Sequence, residues 1–134
     1  MPFQQIGTVR NAAPKARASI SYMRTTHKNR PADKPKPLPR LIVTIPRAML
    51  GAFKPKETAL YEIHLGTGKD TGKARILPGA AGVAPSMCRY YIGFRFGFVP
   101  VLGDEIADRE SVEGRPVDGG FEIDLPAWFK PNGA

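Results

Sequence analysis

The stretch "RLIVTIPRAML", residues 40 to 50, decides the fold of this chain. Leu41, Val43 and Ile45 recur at every second position, which places them on one face of a β-strand. Pro46 follows directly; it cannot donate to a sheet ladder, and its fixed backbone angle suits the first turn of a helix. We therefore predict a strand that ends at Pro46 and continues into a short helix.

The same alternation recurs in the residues that follow. "ALYEIHL" and "KARIL" are separated by a glycine-rich loop, so residues 60 to 77 are expected to form a β-hairpin. "RYYIGFRFGFV" predicts another strand, with one face made of Ile92, Phe94, Phe96 and Phe98. "FEIDLPAWF" repeats the order strand, proline and apolar turn, which predicts a second short helix after Pro126. The fold class predicted is mainly β: a small barrel or sandwich-like domain with one or two short helices.

The prolines and charges suggest a boundary near Arg40. Residues 1–39 are basic and rich in proline, which predicts a mobile arm, although "ASISYM" (18–23) has the composition of a strand that docks on the domain. Residues 40–134 would form a single β-rich domain. Aligning Pro126 with Pro46 suggests two related halves, 40–77 and 87–130, joined by the small-residue linker 78–86; duplication and chance resemblance remain open.

The net charge of +8 is unevenly distributed over the 134 residues. Residues 1 to 40 carry nine basic residues against Asp33 alone, whereas residues 101 to 134 carry eight acidic and three basic residues. A basic front and an acidic back indicate electrostatic partners rather than a fold. The candidate nucleic-acid-binding residues are the basic side chains of the front and of the hairpin: Arg10, Lys15, Arg17, Arg24, Lys28, Arg30, Lys34, Lys36, Arg40, Lys69, Lys73 and Arg75.

Two motifs resemble nucleotide-binding or RNA-binding signatures without completing them. In "GTGKDTGKA", Gly66 and Gly72 enclose five residues instead of four, and Ala74 stands where a P-loop has a hydroxyl, so we interpret this stretch as a basic hairpin tip. "RFGFVPV" partly matches the strand of an RNA-recognition domain that stacks bases on aromatic rings. A core face for these phenylalanines is favoured, because a small domain needs large side chains to fill it.

No set of residues predicts catalysis or metal binding. Cys88 and His64 are the one conceivable nucleophile and base, and a lone cysteine is more often a packed thiol. The acidic run from Asp104 to Glu113 is typical of a solvated face. We expect no enzyme activity, no metal and no cofactor.

The stretch "VTIPRAMLGAFKPKETALYEIHL", residues 43 to 65, resembles the AbrB/SpoVT-type swapped-hairpin DNA-binding domain. The matching features are Val43, Ile45, Pro46, Leu50 and the turn "FKPKE". Glu57 and Thr58 replace the Gly-Asp that usually closes the turn. The resemblance implies an intertwined dimer with a positive face on DNA, to which Arg40 and Arg47 would contribute.

These observations predict a non-enzymatic nucleic-acid-binding protein, of the kind that includes small transcriptional regulators, with DNA favoured over RNA. The alternative is a protein-interaction or assembly protein, such as a phage or mobile-element accessory or virion protein, whose basic arm docks on an acidic partner. We expect a homo-oligomer. No signal-peptide or membrane-spanning run is visible in the sequence, so a cytoplasmic protein without a membrane partner is expected.

Overall fold

Nine β-strands in two antiparallel sheets form nearly all the regular structure of the computed structural model, which describes residues 17–24 and 37–129. Their order in the five-stranded sheet is β5-β6-β2-β1-β7, and in the four-stranded sheet β3-β4-β9-β8. The strands are β1 Ala18–Met23, β2 Arg40–Pro46, β3 Tyr61–Leu65, β4 Lys73–Pro78, β5 Ser86–Met87, β6 Tyr91–Gly97, β7 Ala107–Val112, β8 Gly114–Val117 and β9 Gly120–Asp124. The mainly-β prediction is confirmed.

One hydrophobic core lies between the two sheets. The alternating residues of β2 are buried as predicted, and the matching positions of β1, β6, β4 and β9 join them in the same cluster. Aromatic rings connect the sheets: the Tyr61 ring, on β3, lies edge-on at 5.7 Å from that of Phe94, on β6. The Phe53 ring, in the loop before β3, packs against both Tyr61 and Phe121. The architecture is a β-sandwich with aromatic side chains at its centre.

The predicted hairpin is present, and one of the two predicted helices is not. Strands β3 and β4 pair antiparallel from Tyr61 opposite Pro78 to Leu65 opposite Ala74. A single 3-10 turn, Arg47–Met49, follows Pro46. After Pro126 the chain makes only a turn, in which the Phe129 N–H donates to the Pro126 carbonyl at 3.0 Å. The second short helix, which the prediction of one or two helices left optional, is replaced by this turn, and the turn brings Phe129 into the core.

Neither 3-10 segment in the described parts of the chain, Arg47–Met49 or Gly68–Asp70, is long or apolar enough to cross a membrane.

Strand β1 lies inside the domain that was predicted to start near Arg40. It pairs with β2 on one side and with β7 on the other, and Ala18, Ile20 and Tyr22 are fully buried. The domain therefore includes residues 18–23. Residues 25–36 connect two adjacent antiparallel strands instead of belonging to an N-terminal arm. The predicted mobility of residues 1–16 and 25–36 lies outside the described residues.

The two halves suggested by the sequence do not fold as separate units. Strand β2 of the first half pairs with β6 of the second, and β4 of the first pairs with β9 of the second. Segment 78–86, expected to be a linker, returns along the free edge of β3, where Tyr61 and Val83 exchange two backbone hydrogen bonds of 2.8 Å. A Cβ at Gly82 would collide with the Tyr61 carbonyl, so close approach to β3 explains the small residue there.

The chain crosses from one sheet to the other at Glu113, between β7 and β8. The Glu113 carbonyl accepts the Asp124 N–H at 2.9 Å, which joins this corner to β9. At the next residue, Gly114, an added Cβ would meet the Phe121 ring within 2.5 Å. The corner therefore requires glycine at position 114, as is typical where a strand bends between sheets.

The Tyr22 hydroxyl ties the five-stranded sheet to the β6–β7 loop. It accepts the Val99 N–H at 3.1 Å and lies 2.8 Å from the Gly103 carbonyl, to which it donates. We expect Tyr22→Phe to lower the free energy of unfolding by about 1 to 3 kcal/mol, because both backbone groups lose their partner. Urea denaturation would measure the change, with Tyr90→Phe, at a ring that is 71% exposed, as the matched control. Equal stability of the two variants would contradict this role.

Candidate nucleic-acid interface

The side of the five-stranded sheet that faces away from the core, called the outer face below, has a floor of small side chains. Because residues alternate along a strand, the buried positions of β1, β2 and β6 leave the intervening ones on this side. One cross-strand row consists of Ser86, Gly93, Thr44, Ser19 and Ser111. These residues have no bulky side chain; Ser86 and Ser111 at the two ends of the row are exposed, whereas Gly93 and Ser19 are buried.

Three arginines surround this floor. Arg95 lies opposite Ile42, and Arg40 lies opposite Met23 at the start of β2. Arg109, on β7, donates from Nε to the Ser19 hydroxyl at 2.9 Å, which places its side chain over the row. The strands β1, β2, β5 and β6 contain no acidic residue, and the carboxylates of this sheet are confined to its edge strand β7. The outer face therefore carries an excess of positive charge.

Tyr91 adds an aromatic ring to the outer face. It opens β6 opposite Pro46 and is 44% exposed. The Cys88 thiol beside its hydroxyl raises the pKa of Tyr91, and the guanidinium groups of Arg109 and Arg95 act in the opposite direction. Both arginines thus lie within electrostatic range of this hydroxyl.

The turn before β6 presents a second exposed ring, at the residue that precedes Tyr91 in the chain. Tyr90 is 71% exposed, and the Arg89 guanidinium lies 5.2 Å from the centre of its ring. Arg47 fixes this turn: its backbone N–H donates to the Tyr90 carbonyl at 3.0 Å, and its Nε donates to the Cys88 carbonyl at 2.8 Å. Arg47, predicted as a phosphate contact, also has this structural role.

The predicted basic residues of the front do not form one cationic arm. Arg17 and Arg24, at the two ends of β1, lie 3.5 Å from a Glu113 carboxylate oxygen and 3.6 Å from one of Asp104. They thus meet the acidic part of the same chain. Arg10, Lys15, Lys28, Arg30, Lys34 and Lys36 lie outside the described residues.

The hairpin residues Lys69, Lys73 and Arg75 belong to the four-stranded sheet. Lys69 is exposed in the 3-10 turn Gly68–Asp70, and Lys73 is half-buried opposite Asp124. Arg75 donates from Nε to Glu122 at 3.0 Å. Of the three side chains, Arg75 is therefore committed to an ion pair within the sheet.

That ion pair is part of a network on the outer side of the four-stranded sheet. Glu122, only 7% exposed, receives Arg75 on one carboxylate oxygen and Arg115 on the other at 2.7 Å. Arg115 also bonds Asp124 at 2.6 Å. These hydrogen bonds, first from Arg115 and then from Arg75, hold the pKa of Glu122 below its usual range. Two cations and two anions balance, so this side is internally neutralised, in contrast to the outer face of the five-stranded sheet.

The structure also separates the residues that suggested catalysis or base stacking. Cys88 precedes β6 in the five-stranded sheet, whereas His64 lies on β3, where its Nε2 is 3.1 Å from a Glu62 carboxylate oxygen. Among the described residues, no group of three His, Cys, Asp or Glu side chains is placed to hold a metal ion. Phe94 is fully buried and stacks on Phe96, which supports the core interpretation; Phe98 is 39% exposed and departs from it.

Sequence reasoning missed Arg95, Arg109 and Tyr91. Arg95 was assigned to the face of β6 opposite the phenylalanines, but Arg109 lies in an acidic stretch, and nothing in the sequence pairs β7 with β1. No family model, curated protein or solved structure matches this chain, so the resemblance of residues 43–65 to an AbrB/SpoVT-type domain stays a prediction.

The Glu122 network yields a prediction about stability and pH. Glu122→Gln should lower the free energy of unfolding at pH 7 by about 1 to 3 kcal/mol, because charge-assisted hydrogen bonds from Arg75 and Arg115 are lost. Since folding lowers the pKa of Glu122, its contribution is complete above the ordinary glutamate pKa of about 4.3 and is lost as the pH falls through the folded value. The difference between variant and wild type should therefore shrink in acid.

Urea denaturation at neutral pH and below about pH 4 would measure this difference. Glu57→Gln, at an exposed position, is the control and should change stability little at either pH. A deficit of equal size in acid would contradict the assignment of this stability to the charge of Glu122.

Proposed function

We propose that this chain is a non-enzymatic nucleic-acid-binding protein that contacts phosphates through the outer face of its five-stranded sheet. The observation that carries the proposal is the charge of this face: Arg40, Arg95 and Arg109 surround a floor of small residues, and four of the five strands contain no carboxylate. Phosphate groups supply the matching charge, and cation contacts to them account for most non-specific affinity.

The contacts that each arginine makes within the protein support a role in phosphate binding. Arg40 and Arg95 are exposed, and neither makes an ion pair or a side-chain hydrogen bond with another described residue. Their guanidinium groups keep their donors available for bidentate bonds to phosphate oxygens. Arg109 keeps its terminal nitrogens available beyond the bond from Nε to Ser19. The hydroxyls of Ser86, Thr44 and Ser111 can add weaker contacts to the backbone of a nucleic acid.

The basic residues among residues 1 to 40 add positive charge that acts on a nucleic acid from a distance. Lys28, Arg30, Lys34 and Lys36 lie between β1 and β2, whose paired ends Met23 and Arg40 are on the outer face. Their charge would attract the same ligand and raise its association rate at low salt. Arg17 and Arg24 contribute less than the sequence suggests, because Glu113 and Asp104 partly neutralise them.

Substitution of Arg40 and Arg95, which form no ion pair with another described residue, tests the proposal. We expect Arg40→Gln combined with Arg95→Gln to weaken binding several-fold and to reduce the log–log salt slope by about 1.4 to 1.8, since each phosphate contact contributes about 0.7 to 0.9. Fluorescence anisotropy with labelled DNA and RNA between about 50 and 200 mM salt would measure both effects.

The matched control is Lys54→Gln combined with Lys56→Gln, which removes the same charge from exposed positions in the loop before β3. This control should retain most of the salt slope. Equal losses in the two double variants would mean that net charge, and not the outer face, determines binding. Absence of binding at the lowest salt would overturn the proposal.

A protein-interaction or assembly role is the second candidate, and the edge strand β7 favours it. β7 ends the five-stranded sheet, carries the exposed residues Asp108 and Glu110, and pairs on one side only among the described strands. Arg17 and Arg24 show within one chain that basic residues approach this acidic region. A basic segment of a second copy, or of another protein, would have the same complementarity.

Under this second candidate, Asp108→Asn combined with Glu110→Gln should shift a self-associated species towards the monomer. Light scattering of the full chain at low salt would measure the mass before and after the exchange. A chain that is monomeric throughout, and that binds nucleic acid, would exclude assembly through β7.

A further inference from the structure

We infer that the outer face binds nucleic acid as a single strand, with bases stacked on Tyr91 and Tyr90 and phosphates held by Arg95, Arg109 and Arg40. The inference rests on the proposed function and adds the class of ligand.

The dimensions of the face do not suit duplex recognition. Five strands about 4.8 Å apart span roughly 19 Å, whereas the major groove of B-DNA is about 12 Å wide and admits an α-helix or a two-stranded ribbon. No helix in residues 17–24 and 37–129 exceeds three residues. The hairpin of β3 and β4 is not a free ribbon, because β4 also pairs with β9. A duplex could therefore touch the outer face only along its backbone.

The exposed rings suit a single strand, because its bases are unpaired and accessible, whereas a duplex keeps its bases stacked inside. Unpaired bases stack on aromatic side chains, and this contact tolerates any sequence because every base has a π-face. Tyr90 and Tyr91 are exposed next to each other, and Arg89 lies over the Tyr90 ring. The backbone next to both rings is held in place, since the Arg47 backbone and side chain bond the Tyr90 and Cys88 carbonyls and Tyr91 begins β6. Little ordering entropy is then lost on binding.

The floor places base and phosphate contacts side by side. Tyr91 and Arg95 lie on the same side of β6, and Arg109 reaches Ser19 in the row that crosses this side of the sheet, so cations and ring share one face. Gly93 lies between Tyr91 and Arg95 on the same side of β6; it is itself buried and adds no side chain between the ring and the guanidinium group. The neighbouring Thr44 and Ser19 continue this low surface across the sheet. A single strand lying over β6 and β2 can thus alternate stacked bases with paired phosphates.

The test compares four ligands of equal length, about 20 nucleotides, which exceeds the roughly 4 to 16 covered by small β-barrels that bind single strands. They are a thymidine strand, a uridine strand, a duplex, and an abasic strand that keeps the phosphates but has no bases. Anisotropy titrations with the full chain at one salt concentration measure each affinity. We expect the two base-bearing single strands to bind at least about tenfold more tightly than the duplex or the abasic strand, the range that stacking provides.

Substitutions at the two rings separate stacking from charge. Tyr91→Ala and Tyr90→Ala should each weaken binding of the base-bearing strands about five- to 150-fold and leave the abasic strand unchanged. Tyr91→Phe and Tyr90→Phe retain the rings and should retain the affinity. Because both side chains are exposed, these exchanges should leave thermal unfolding nearly unchanged, and circular dichroism would check this.

The outcomes distinguish this inference from the proposed function. Equal or tighter binding of the duplex, or alanine variants that bind base-bearing strands like the wild type, would overturn the single-strand inference while nucleic-acid binding stands. Failure of all four ligands to bind at low salt would overturn both. Preferential binding of one of the two base-bearing strands, with loss in the alanine variants, would support the inference and show which of the two strand types is preferred.

Discussion

The contact between Tyr61 and Phe94 joins the two sheets, and the rest of the structure depends on it. The two rings meet edge-on across the sandwich, while Phe53 closes the same cluster against Phe121. Since one core has to be sealed from both sides, every central strand presents apolar side chains inward at alternate positions. The intervening positions face outward and are released from packing. Their chemistry is therefore the part of the molecule that is available for function.

The two sheets use that freedom in opposite ways. In the four-stranded sheet, Glu122 receives Arg75 and Arg115, and the charges cancel within a few ångströms. In the five-stranded sheet, Arg40 and Arg95 have no carboxylate on their own or adjacent central strands. Leaving like charges unpaired on one sheet gains nothing for folding, because their mutual repulsion is unfavourable. Binding of a negatively charged ligand would explain why arginines occupy these positions.

The periodicity of the sequence predicted the strands but not which strands pair with one another. The alternation in residues 41 to 45 and the hairpin of residues 60 to 77 were predictable, because both depend on local spacing. The central place of β1 was not, since six residues after a basic segment carry no signal for a partner about 90 positions away on β7. The same limit hid the outer face: Arg109 meets Ser19 only through that long-range pairing. Charge summed along the chain had instead suggested an arm, and β1 brings Arg17 and Arg24 back onto acidic residues.

Strand β6 shows why a motif has to be assigned to a face before it is assigned a function. Its phenylalanines resemble a base-stacking strand in sequence, yet Phe94 is fully buried and Phe96 stacks on it within the core side. The alternate positions, Tyr91, Gly93 and Arg95, lie on the outer face and combine a ring, a residue without a side chain and a cation. One strand thus serves stability through its even-numbered residues and ligand binding, as proposed, through its odd-numbered ones. Binding chemistry therefore has to be sought among the residues between those that the core requires.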